Sequence, residues 1–80
     1  MHQFCVSLDE DENGSHIVHL DGCPRWPPPR STRLLGLHDY CDEALRAARM
    51  FFGQVDGCSQ CLPQCHAQFQ IRELVSQEAR

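Results

Sequence analysis

The run HQFCVSLDEDENGSHIVHL, residues 2–20, is the stretch on which the fold turns. Over residues 2–8, Phe4, Val6 and Leu8 alternate with Cys5 and Ser7. This is the period-two signature of a strand with one buried face. Residues 9–14 are acidic and end in Asn13-Gly14, a dipeptide that favours the tight turn of a hairpin. Residues 15–20 are rich in β-branched side chains and read as the returning strand.

Residues 21–30 hold four prolines and a glycine, so a loop crosses the edge of the sheet. Residues 32–37 are apolar enough for a third strand, and short connections predict an antiparallel meander. A helix over 39–52 follows. Asp39 can cap it, Asp42 and Glu43 suit its first turn, and Asp42 and Arg46 are spaced to pair. Cys41, Leu45, Ala48 and Phe52 form its apolar stripe, and Gly53 is placed to end it in a left-handed conformation. A loop holding Cys58 and Cys61 leads to Pro63, which suits the first residue of a last helix over 63–77. The expected architecture is α+β, a three-stranded antiparallel sheet with two helices packed on one face.

An 80-residue chain supports one small domain, residues 1–80. A chain this short buries only about 60% of its unfolded surface, so an added crosslink would help it. No apolar run is long enough for a membrane span. The start, residues 1–6, lacks the basic region of a secretory signal, which predicts a cytoplasmic setting. The net charge of −4 argues against a general affinity for phosphate backbones.

Six cysteines are dense for such a chain. In a reducing compartment stable disulfides are rare, which favours metal ligation or redox chemistry. Two places carry the chemistry. One is His19-Leu20-Asp21-Gly22-Cys23-Pro24, and the other is Cys58-Ser59-Gln60-Cys61-Leu62-Pro63-Gln64-Cys65-His66. Two residues between thiolates let both sulfurs reach one tetrahedral ion about 2.3 Å away, and Gly57 can ease such a knuckle. His19 and Cys23 flank a glycine-bearing span and can form the second pair. The candidate ligands of one Zn²⁺ are therefore His19, Cys23, Cys58 and Cys61, with Cys65 and His66 competing for the fourth place. Cys5 and Cys41 fit core filling instead.

His-x₃-Cys-Pro after a strand, a helix with Asp42-Glu43-Ala44, then Cys58-x₂-Cys61 and Pro63 resemble the metal-binding domain of the bacterial Ada DNA-repair protein and its small relatives. The resemblance covers residues 16–63. It implies one zinc ion held by the two pairs, and in Ada itself one thiolate of the first pair accepts a methyl group from a DNA phosphotriester. Ada has Cys/Cys in that pair, where this chain has His19 and Cys23.

No catalytic constellation stands out, so the function expected is that of a zinc-stabilised, non-enzymatic binding module. Trp26, Arg30 and Arg33 offer a surface to a protein partner, beside the stiff run Pro27-Pro28-Pro29. Tight general nucleic-acid binding and membrane association are not expected. The competing reading is a thiol-based enzyme, either a redox Cys-x₂-Cys protein or an Ada-like methyl acceptor using Cys23. An iron–sulfur cluster on Cys23, Cys58, Cys61 and Cys65 would lack a familiar spacing. Residues 9–12 read as a solvated turn.

Overall fold

A computed structural model describes residues 1–66. Strand β1 (His2–Glu10) is followed by β2 (His16–Leu20), β3 (Thr32–His38), helix α1 (Cys41–Ala48) and a short β4 (Val55–Gly57). The four strands make one mixed sheet in the order β3-β1-β2-β4. β1 is antiparallel to both β2 and β3, while β4 runs parallel to β2.

This corrects the expected architecture of three antiparallel strands with two helices. β3 pairs with β1 rather than β2, because the proline loop carries the chain across the end of the sheet to its other edge. That loop ends in a 3-10 turn at Pro29–Ser31, where the Thr32 hydroxyl donates to the carbonyls of Pro27 and Pro28 at 3.0 and 2.7 Å. β4 is the unforeseen strand. Its sequence, Val-Asp-Gly, carries no alternation, and it becomes extended because its backbone finds the free edge of β2. The expected second helix over 63–77 is not formed where it can be seen. Pro63–Cys65 is a single 3-10 turn and His66 is already extended, and the rest of that segment lies outside the described residues.

The hairpin closes with more than Asn13-Gly14. The Asp11 carboxylate accepts from the amides of Asn13 and Ser15 at 2.9 and 2.8 Å, and Gly14 takes a φ of +82°. A register shift between Val6 and Glu10 turns Leu8 outward, 42% exposed, although the alternation groups it with Phe4 and Val6. Ser7 stabilises that irregularity by bonding both main-chain groups of Asp9.

α1 is shorter than the pattern implies. Tyr40 occupies the cap position without a side-chain bond. The Asp39 carboxylate instead lies 3.5 Å from the N-terminal ammonium. Residues 49–51 leave the helix as turns, and Gly53 does not adopt a left-handed conformation. Cys41, Ala44, Leu45 and Ala48 face inward and meet Phe4, Val6, Val18, Val55 and Leu62. This core occupies one face of the sheet. The pleat sends His19, next to Val18, and its register partner Cys5 to the other face.

Candidate metal centre

Two turns and one strand pair assemble the centre. At the end of β2 the Cys23 amide donates to the Leu20 carbonyl at 3.0 Å, and Gly22 supplies the φ of +92° that this turn requires. Cys23 is thereby folded back beside His19. In the parallel pair Val18 faces Gly57, and the Cys58 amide donates to the Val18 carbonyl at 2.9 Å. The following turn is closed by the Leu62 amide on the Cys58 carbonyl at 2.8 Å, which presents Cys61.

The result is a cluster of His19, Cys23, Cys58 and Cys61 whose ligand atoms lie within 4.8 Å of one another. Cys23 Sγ is 3.6 Å from His19 Nδ1 and 3.8 Å from Cys58 Sγ. A disulfide needs about 2.05 Å, so these sulfurs are gathered but not bonded. Each cysteine sulfur also accepts a backbone amide: Cys23 from Arg25 at 3.4 Å, Cys58 from Gln60 at 3.4 Å, and Cys61 from Leu20 at 3.3 Å. Such donors stabilise negative charge on sulfur. His19, Cys23 and Cys58 are buried, and Cys61 is half-buried. Three soft sulfurs and an imidazole in this arrangement could hold a metal ion.

Electrostatics are strongly mixed in so small a volume. Burial raises the Cys58 thiol, but the amides of Cys61 and Gln60 and the thiols of Cys61 and Cys23 outweigh it, leaving it below the ordinary value. Cys61 is pushed up to about 12, chiefly by burial, with Cys23 and Cys58 adding to the rise. Burial, aided by the Arg25 charge, lowers the His19 imidazole and keeps it neutral, the form in which it ligates. A cavity of about 530 Å³ opens over His19 and Cys58, with Arg25 and the acidic hairpin on its walls.

The two alternates are occupied elsewhere. Cys65 forms a disulfide with Cys41, 24 residues away. His66 has its Nδ1 2.9 Å from the Gly57 carbonyl and 3.1 Å from an Asp56 carboxylate oxygen. Cys41 therefore does more than fill the core. No local spacing marks this bond; its only sequence signal is that four ligands taken from six cysteines and five histidines leave thiols to be accounted for. Gly57 also has a different reason from the one expected. A Cβ there would sit 2.9 Å from the Cys65 Cβ and 3.1 Å from its carbonyl carbon, so glycine allows the disulfide-bearing turn to pack closely.

No family model matches the chain. Neither a curated protein nor a solved structure matches it. Among the described residues, no helix is long and apolar enough to cross a membrane.

Proposed function

We propose that this domain is a non-enzymatic binding module stabilised by one structural Zn²⁺ on His19, Cys23, Cys58 and Cys61. One observation carries the reading. A tetrahedral zinc with Zn–S of about 2.3 Å and Zn–N of about 2.0–2.1 Å has S···S edges of about 3.8 Å and N···S edges of about 3.6 Å. Cys23 Sγ lies 3.8 Å from Cys58 Sγ and 3.6 Å from His19 Nδ1. The amide donated to each sulfur further supports thiolate ligands. Four protein donors leave no open position for water, which suits a structural ion rather than a hydrolytic one. The resemblance of residues 16–63 to the Ada metal-binding domain points to the same four positions.

A thiol enzyme is favoured by one feature, the lowered Cys58 thiol. Its 2% exposure counts against attack on a substrate, and the 7% exposure of Cys23 counts equally against methyl transfer from a phosphotriester. The partner surface in this proposal is the proline loop and β3. Arg30 and Arg33 are exposed there, Trp26 is half-buried, and the Arg33 guanidinium lies 3.7 Å over the Phe51 ring. Exposed Leu34 and Leu37 extend the same edge strand with apolar area.

The test is elemental analysis and native mass spectrometry of protein prepared without chelator. One zinc per chain is expected. Less than about 0.2 zinc per chain, with folding unchanged in chelator, overturns the proposal.

A further inference from the structure

We infer that the Cys41–Cys65 disulfide is a reducible staple that controls how firmly the metal centre retains its ion. This inference rests on the zinc reading above. The disulfide closes the loop that carries Cys58 and Cys61, two of the four donors, and ties its far end to the first residue of α1. The tie reaches the centre by direct packing. Cys65 lies against Gly57, the residue immediately before Cys58, so closely that not even a methyl group fits between them. From the next position, His66 Nδ1 meets the Gly57 carbonyl at 2.9 Å. On the other side, Leu62 is 2% exposed and its amide holds the Cys58 carbonyl. The turn from Cys61 to His66 is thus a buttress for both cysteines of the knuckle, and the disulfide is its covalent anchor.

A metal site in a small domain binds tightly to the degree that its donors are held in place before the ion arrives. Opening the disulfide frees the buttress from α1, lets the two knuckle donors separate and speeds loss of the ion. Both cysteines are buried, Cys41 at 8% and Cys65 at 6% exposure, so a reductant reaches the bond when the turn around Cys65 opens locally. A groove of about 540 Å³ is lined by Cys41, Cys65, Tyr40 and Gln64, and a second of about 120 Å³ ends on Cys65 beside Leu45. The matching reductant is a dithiol of the thioredoxin class. One of its thiolates attacks the Cys65 sulfur, the S–S bond breaks, and Cys41 leaves as a thiolate that takes up a proton. The second thiol of the reductant then displaces Cys65 from the mixed disulfide. Two electrons and two protons end on Cys41 and Cys65, and the reductant ends as its own disulfide. The centre therefore keeps its ion in oxidising surroundings and yields it in reducing ones.

The experiment loads the whole chain with zinc and follows transfer to an excess of chromogenic chelator, before and after reduction by a phosphine. A phosphine opens disulfides without offering a thiol to the metal. Mass spectrometry after alkylation checks that the Cys41–Cys65 bond is present at the start and open at the end. Transfer should be at least tenfold faster after reduction. The double variant Cys41→Ala/Cys65→Ala should transfer at the reduced rate and ignore the phosphine. Should that variant fail to fold, reduction of the zinc-loaded natural chain still decides. Equal rates in the two states overturn the staple, as does slower transfer after reduction, which would mean that a freed Cys65 had joined the centre. Six free thiols in protein prepared under air also overturn it. If the oxidised chain binds no zinc at all, the metal reading itself falls and the staple with it. Stoichiometric zinc with a redox-independent rate removes the staple alone.

Discussion

The Val18 carbonyl accepts the Cys58 amide at 2.9 Å across the parallel strand pair, and this bond sets Cys58 beside His19. The two halves of the centre are about 35–40 positions apart in the chain. They meet because a three-residue strand docks on the free edge of β2. On the zinc reading proposed above, ion binding and completion of the sheet are one event.

Removing the ion should unfold the domain. A structural zinc contributes roughly 10–16 kcal/mol of apparent binding free energy at neutral pH, against a total stability of about 5–15 kcal/mol for ordinary domains. Excess chelator should abolish near-ultraviolet circular dichroism and the dispersed amide resonances, and zinc should restore both. Cys58→Ser should behave like the chelated chain. Retention of dispersed resonances in chelator would remove the structural role.

Gly57→Ala should destabilise the zinc-loaded protein by about 1–3 kcal/mol, the range for forcing an extra methyl into a packed site. The added Cβ meets the Cys65 backbone, which cannot turn aside as a side-chain tip would. Gly53→Ala is the matched control. Nothing lies within 4 Å of its Cβ and its φ is not left-handed, so it should be neutral or stabilising by about 0.4–1 kcal/mol. Urea titrations of both variants measure the contrast.

Cys5 should resist alkylation at pH 8 while the domain is folded. Its side chain is fully buried, and burial pushes its thiol from 9.0 up to about 12, the His19 amide opposing and Cys23 adding to the rise. The sign of the linked stability follows. Below pH 9.0 the thiol is protonated in both states and the contribution is complete. Between 9.0 and about 12 the unfolded chain loses its proton first, so stability falls as pH rises through that window. Urea midpoints from pH 8 to 11 should fall in the natural chain, with this part of the slope missing from Cys5→Ala. Labelling of Cys5 as fast as a free thiol at pH 8 would contradict the buried placement.

Duplex DNA should bind weakly. Arg25, Arg30 and Arg33 are the exposed basic groups in and beside one loop, and three phosphate contacts give a log–log salt slope near −3. A titration at about 0.15 M salt should give a Kd no tighter than the roughly 10⁻⁴–10⁻⁶ M non-specific range. Nanomolar binding lost on replacing those three arginines would restore a repair-like function.

Local chemistry was legible wherever a few residues suffice to specify it. The strand at Phe4 and Val6, the turn ahead of Ser15, the acid-first pair Asp42–Arg46 at 3.4 Å and the inward face of α1 all follow from neighbours within about four positions. Leu8 escaped because a register shift has no signature in the alternation itself. β4 escaped for a similar reason, since Val55-Asp56-Gly57 has no strand propensity beyond one valine. Its extended form comes from the partner edge.

Local spacing alone brings together the two candidate ligand pairs, His19-x₃-Cys23 and Cys58-x₂-Cys61. The reach of a few backbone bonds decides whether two side chains can share an ion. Long-range folding makes these pairs converge, sets β1 rather than β2 beside β3, and bonds Cys65 to Cys41 while His66 turns to Asp56 and Gly57. Those outcomes join segments distant in the chain. They depend on which sheet edge is left open and on whether a glycine permits close approach, and both arise only once the strands have paired.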